Sequence, residues 1–163
     1  MLKLKLNSKN YKSFIDYAIK TCDYASLIFE KSESSNSKYT FQEEYQLISE
    51  YIMRKENKMF HPDTGSYFEN VDIVYFKLDK EMSEFFKNAD NIFDWNGINL
   101  PEELCFYRDE NIWFSCICHE KLLHIYNETY NDINFLKTNK IKFFYEIQNN
   151  TGDCPLCSSP VLR

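Results

Sequence analysis

Glycine is almost missing: three residues, Gly65, Gly97 and Gly152, are spread through a chain of 163. A phosphate cradle of the P-loop or dinucleotide kind needs clustered glycines so that backbone N–H groups can close on the phosphate, and that class is excluded. Basic clusters are missing as well. The formal net charge is −6, and no run of consecutive basic residues is longer than two, with Lys3 and Lys5 of MLKLKLN merely alternating. Nucleic acid is gripped by grouped Lys and Arg whose contacts release counterions, so it is not an expected partner. No stretch approaches the roughly 18 apolar residues of a membrane span, and the apolar run after Met1 is too short for a secretory signal. No membrane contact is expected. The expected compartment is the cytoplasm, of a bacterium or, for a phage-encoded chain, of its host. A Gly-x-Ser-x-Gly elbow for a serine enzyme is also missing.

What the sequence has is aromatic mass: 14 Phe and 12 Tyr within a hydrophobic content of 44%. Large rings bury enough surface to offset the entropy of ordering, and 163 residues suffice for one core. One domain over residues 1–150 is expected, followed by a Cys-containing tail over 151–163. In a reducing compartment the 6 Cys are core thiols or metal ligands rather than disulfides. Frequent Lys, Asn, Ile, Tyr and Phe with scarce Gly fits an AT-rich genome, such as that of a low-GC bacterium or its phage.

Periodicity supplies the elements. LKLKLN alternates as an edge strand whose outward lysines discourage pairing. From Ser8 as N-cap, Tyr11, Phe14, Ile15, Ala18, Ile19 and Cys22 recur at helical spacing. YASLIF (24–29) is a short strand, and EKSESSNSK (30–38) a polar loop. Thr40 with Glu43 fits a capping box, opening a helix predicted to run to about residue 57. HPDTGS (61–66) is a turn, VDIVYFKL (71–78) the clearest strand, and Asp79 caps a helix whose inward face is Met82, Phe85, Phe86 and Ala89. After a loop over 94–103, LCFYR (104–108) and IWFSCIC (112–118) form a hairpin. Residues 119–137 read as mainly helical and IKFFYEI (141–147) as a last strand. The predicted class is α+β: a mostly antiparallel sheet of about five to six strands with helices packed on one face.

LPEELCFYRDENIWFSCICHE (100–120) resembles a motif of small proteins from low-GC bacteria, in which a leucine–proline–acidic pair, LCFYR, a turn and an aromatic pair precede HE. The likeness extends over about residues 10–125. It implies one domain and, the family having no established activity, no mechanism; CPLC departs from its pattern.

Chemistry is concentrated in SCICHEKLLHIY (115–126). A zinc-protease helix sets its histidines four apart, whereas His119 and His124 are five apart, leaving them roughly 140° out of line on a helix. On a strand they fall on opposite faces. Cys118 and His119 are neighbours whose side chains diverge in a strand, a poor nucleophile–base pair. A structural zinc is the candidate cofactor: CPLC presents Cys154 and Cys157 as a thiolate knuckle, to be completed from upstream by Cys118 and His119, with Cys105 and Cys116 as further donors. Cys116 and Cys118 share a strand face but stand about 6.5–7 Å apart along an extended backbone, wider than zinc requires without a bulge. A two-residue turn at Glu110 and Asn111 would set Cys105 opposite Cys116; a turn centred on Glu110 would not.

Trp95, Tyr107, Arg108, Trp113 and Glu120, around the hairpin, include the residue types that dominate interfaces and are the candidate partner-binding set. Since no convergent catalytic set is legible, the expected function is a non-catalytic intracellular binding module acting on a protein partner, of the immunity-protein or phage anti-defence inhibitor type. A protein sequestering a small, nucleotide-like signal and a zinc- or cysteine-dependent hydrolase are the alternatives.

Overall fold

The computed structural model describes residues 1–30, 48–59, 61–67, 71–97 and 100–146. Within them run β1 (Leu2–Lys5), α1 (Ser8–Thr21), β2 (Tyr24–Glu30), β3 (Ile52–Asn57), β4 (Val71–Lys77), α2 (Lys80–Lys87), β5 (Glu102–Arg108), β6 (Asn111–Ile117), β7 (Leu122–Ile125), α3 (Tyr130–Thr138) and β8 (Lys142–Tyr145). The strands make one eight-stranded sheet in the order β3-β4-β2-β5-β6-β7-β1-β8, every pairing antiparallel. The class is α+β, with two to three strands more than predicted.

The extra strands lie where helix was expected. Ile52–Asn57 (IMRKEN) is rich in helix formers, yet its backbone pairs with β4 from Ile52↔Phe76 to Asn57↔Asp72. An edge strand is solvated along one side, so charged side chains suit it. Leu122–Ile125 pairs with both β6 and β1, sending Leu123 and Ile125 into the core. The Thr40 capping box lies outside the described residues. β1 is not an edge: β7 flanks it on one side and β8 on the other. Leu2 and Leu4 go inward while Lys3 and Lys5 meet solvent, so the lysines wet a face rather than guard an edge.

One core lies between the sheet and its helices. Tyr11, Phe14, Ile15 and Ala18 of α1, Met82 and Phe86 of α2 and Leu136 of α3 pack on Leu27, Val74, Phe76, Phe106, Phe114, Leu123 and Ile125. Asn7, rather than Ser8, caps α1, its Oδ1 accepting from the Lys9 and Asn10 N–H groups. Asp79 caps α2 as predicted. In the core the Tyr11 hydroxyl donates to the Phe86 carbonyl at 2.6 Å and accepts from Trp95 Nε1 at 2.8 Å. Both aromatic polar handles are thereby satisfied. Among the described residues no helix is long and apolar enough to cross a membrane.

The β5–β6 hairpin turns at Asp109 and Glu110, with Arg108 facing Asn111. A register shift between Phe106 and Tyr107 then sets Cys105 opposite Ser115. The turn is one residue earlier than the first alternative, and the shift restores the register of the second. Cys105 therefore does not face Cys116.

Candidate functional site

Strand alternation sends a second set of side chains to the face away from the helices. There Ile28, Val71, Ile73, Tyr75, Cys105 and Tyr107 form a smaller cluster flanked by Tyr24 and Ile112. Polar groups break it up: Ser26, Glu103, Ser115 and His124 are all buried. Burial of such groups needs partners: Ser26 bonds with Tyr107, Ser115 with Tyr126, and the loop between β3 and β4 supplies those of Glu103.

That loop folds on itself through His61. The His61 N–H donates to the Ser66 carbonyl, Gly65 N–H donates to the His61 carbonyl, and His61 Nδ1 accepts from the backbone of Asp63 and Thr64. Gly65 takes φ +77, a left-handed value at which other residues are strained. Burial lowers the His61 pKa to about 4, so the ring is a neutral acceptor within the loop. Thr64 Oγ1 and Ser66 Oγ donate to the two oxygens of Glu103 at 2.6 Å each, and the Tyr107 hydroxyl donates to Asp63 at 2.7 Å. The loop is clamped to β5. Burial pushes the Glu103 carboxyl above its ordinary value, against the pull of the two hydroxyls and His119. Burial raises Tyr107 as well, keeping it a phenol that donates.

Two features open from this face. The first is a cavity of about 570 Å³ that includes Asp63, Glu110, Asn111, Tyr126, Asn127 and Glu146 in its wall. Three acidic residues thus line it, from the 61–66 loop, the hairpin turn and the residue after β8. A second cavity of about 300 Å³, lined by Tyr24, Met53, Arg54, Tyr75 and Glu110, shares Glu110 with the first. Arg54 lies over the Tyr75 ring at 4.0 Å, and Met53 is 57% exposed. Glu110 stands at φ +62 beside Asp109 at φ +49, the pattern of a type I′ turn, for which Asn and Gly are the favoured residues.

The other feature is Glu102, Glu103 and His119, whose ligand atoms lie within 4.8 Å of one another. Successive strand residues ordinarily point to opposite faces; Glu103 at φ +53 breaks the alternation and both carboxylates converge. His119 Nδ1 is 3.7 Å from Glu102 and 3.6 Å from Glu103, and its Nε2 is 3.8 Å from Glu120. Gly97, at φ +79, lets the Glu102 carboxylate lie against the chain: a Cβ there would sit 3.1 Å from Glu102 Oε2.

The candidate residues are distributed unevenly over these features. Trp95, Tyr107 and Trp113 are buried. Arg108 binds Asp132 through Nη1 and Nη2, each at 3.1 Å, bonds to Thr21 and stacks over Trp113 at 4.9 Å. Of the five partner-binding candidates, Glu120 is the one that is exposed. Cys118 and His119 part company: Cys118 Sγ lies 3.1 Å from Cys116 Sγ, both thiols near the Ile92 carbonyl on the helix side, while His119 joins the acids. Leaning toward that carbonyl brings the two sulfurs well inside the spacing expected of an extended strand. Burial raises the Cys105 and Cys116 thiols and holds Cys22 at about 12, keeping these three protonated. Cys154 and Cys157 lie outside the described residues. His124, paired with Lys3 of β1, is buried, its Nε2 3.4 Å from Glu146. The groove carboxylates were not singled out by sequence; HPDTGS and the DEN turn carry two of them, but nothing local signals that they meet.

Comparison with protein families, with curated proteins and with solved structures gives no match.

Proposed function

We propose that this chain is a non-catalytic binding module that occupies the surface of a protein partner, in the manner of an immunity protein or a phage inhibitor of host defence, and that the partner seats on the groove divided by Glu110. The observation that carries the reading is Glu110 itself: a charged residue at φ +62, where glycine costs least, lines both cavities. Backbone strain kept in this way clusters at functional positions. The first cavity, with Asp63, Glu110 and Glu146, suits a cation, and the partner's complementary group is a lysine or arginine side chain. Beside it Tyr24, Met53, Arg54 and Tyr75 supply the aromatic, methionine and arginine surface enriched at interfaces. A formal charge of −6 favours fast encounter with a basic partner.

The test is capture from source cells with tagged, folded protein, repeated with Glu110→Lys. A stoichiometric basic partner should be retained by the wild-type protein, released as salt rises, and bound at least about tenfold more weakly by the variant. Failure to capture a partner, or capture indifferent to Glu110→Lys and to salt, would count against the reading.

A second reading has its own support. A volume of about 570 Å³ fits a small ligand, and three carboxylates favour an amine-bearing compound over the nucleotide-like signal expected from sequence. Native mass spectrometry of fresh protein would reveal such a ligand, returned unchanged on denaturation.

A further inference from the structure

We infer that Glu102, Glu103 and His119 bind one divalent transition-metal ion, such as zinc, in preference to magnesium or calcium. The inference rests on this cluster alone and is independent of the partner-binding groove.

The donors are mixed, one imidazole nitrogen with two carboxylates, and they come from two parts of the chain that β5 and the turn after β6 bring together. With bonds of about 2.0–2.2 Å, neighbouring ligand atoms on tetrahedral zinc lie about 3.4 Å apart. The observed 3.6 and 3.7 Å from His119 Nδ1 to the acids need to contract by only a few tenths of an ångström.

The surroundings resemble those of a metal ligand set. Glu103 is 0% exposed, and buried carboxylates are paired with a cation or coordinate a metal. The described groups against it, the Thr64 and Ser66 hydroxyls, Glu102 and His119, include no lysine or arginine. The two hydroxyls fix the carboxylate plane while leaving each oxygen further acceptor capacity. On the far side, His119 Nε2 faces Glu120 at 3.8 Å, so Nδ1 can ligate while Nε2–H points toward a carboxylate. Carboxylate–histidine–metal arrangements of this kind fix the tautomer and raise ligand basicity. Half-exposed His119 leaves the ion an open approach.

Hardness decides the class of ion. Magnesium and calcium take oxygen shells, whereas imidazole suits zinc and its transition-metal neighbours, among which zinc binds more tightly than manganese or iron. This site claims His119, which the sequence assigned to the thiolate zinc at Cys154 and Cys157, and its other donors are carboxylates rather than sulfur.

The experiment uses the full chain, purified reduced and stripped of metal, in a Cys154→Ser/Cys157→Ser background so that the tail thiols cannot contribute. Zinc is titrated against a chromophoric chelator, then cobalt is substituted and its visible spectrum recorded; His119→Ala and Glu102→Gln are added singly, with circular dichroism checking the fold. One equivalent of zinc should bind, hundredfold excess magnesium should not displace it, and the cobalt spectrum should lack thiolate charge transfer. Each added substitution should weaken zinc binding on the order of a hundredfold or more, beyond the loss typical of an outer-shell change. The inference is overturned if the serine background takes up no zinc, if His119→Ala and Glu102→Gln both bind as the background does, or if cobalt shows thiolate ligation.

Discussion

At the scale of the residue, Asp132 governs more than its position at the start of α3 suggests. Its carboxylate accepts from Arg108, from the Tyr17 hydroxyl at 2.8 Å and from the Thr129 backbone and hydroxyl at 2.7 and 2.8 Å, with no exposure to solvent. Burial alone would raise its pKa, but the bonds from Arg108, Thr129 and Tyr17 together hold it below the ordinary carboxylate value. A carboxylate depressed in the folded state stabilises fully above its unfolded pKa, and that stability is lost as pH falls through the lower folded value. Arg108→Ala, which strands this carboxylate, should cost about 3–5 kcal/mol in urea denaturation at neutral pH. Arg108→Lys should recover only part, because one ammonium cannot serve Asp132 and the Thr21 carbonyl and hydroxyl together. From the sequence, an arginine at a strand end near a tryptophan looks like contact surface. Its partner lies 24 residues away, beyond the reach of any local pattern.

Elements were legible where one periodicity was unopposed. α1, β2, β4, α2 and the β5–β6 hairpin follow from apolar spacing and from caps that the backbone needs in any context. β3 was hidden because Arg54, Lys55, Glu56 and Asn57 have no apolar alternation, and pairing with β4 overrides their helical preference. β1 read as a strand, but its interior place depends on β8, far along the chain. The 61–66 loop read as a turn and is also the element that clamps β5. Its pH response follows from His61. The unfolded chain takes up this proton below about 6.5, whereas the folded loop resists it down to about 4. Stability from this group should therefore fall as pH drops through that window, by roughly 3 kcal/mol at most. His61→Asn keeps a side-chain acceptor for Asp63 and Thr64 but cannot titrate; its stability measured by denaturant titration from pH 7 to pH 4 should decline less than that of the wild-type protein. An equal decline in both would remove His61 as the cause.

At the scale of the whole molecule, one sheet separates two kinds of surface. The helix side holds the aromatic core and three of the four described thiols; the other side gathers carboxylates, hydroxyls and imidazoles under a short loop. Composition foretold the first, since 14 Phe and 12 Tyr supply the rings for an aromatic core. It could not foretell the second, because Asp63, Glu110 and Glu146 become neighbours only through strand order. His119 was legible as a candidate ligand, but its acid partners depend on the left-handed backbone at Glu103. The groove and its strained rim lead to a trade between stability and recognition. Glu110→Gly removes both the strain and the carboxylate, so its thermal unfolding and its affinity for the captured partner, compared with wild type, test the account most directly. The account predicts a variant about 1 kcal/mol more stable that binds its partner at least about tenfold more weakly; a variant that binds as tightly as wild type would contradict it.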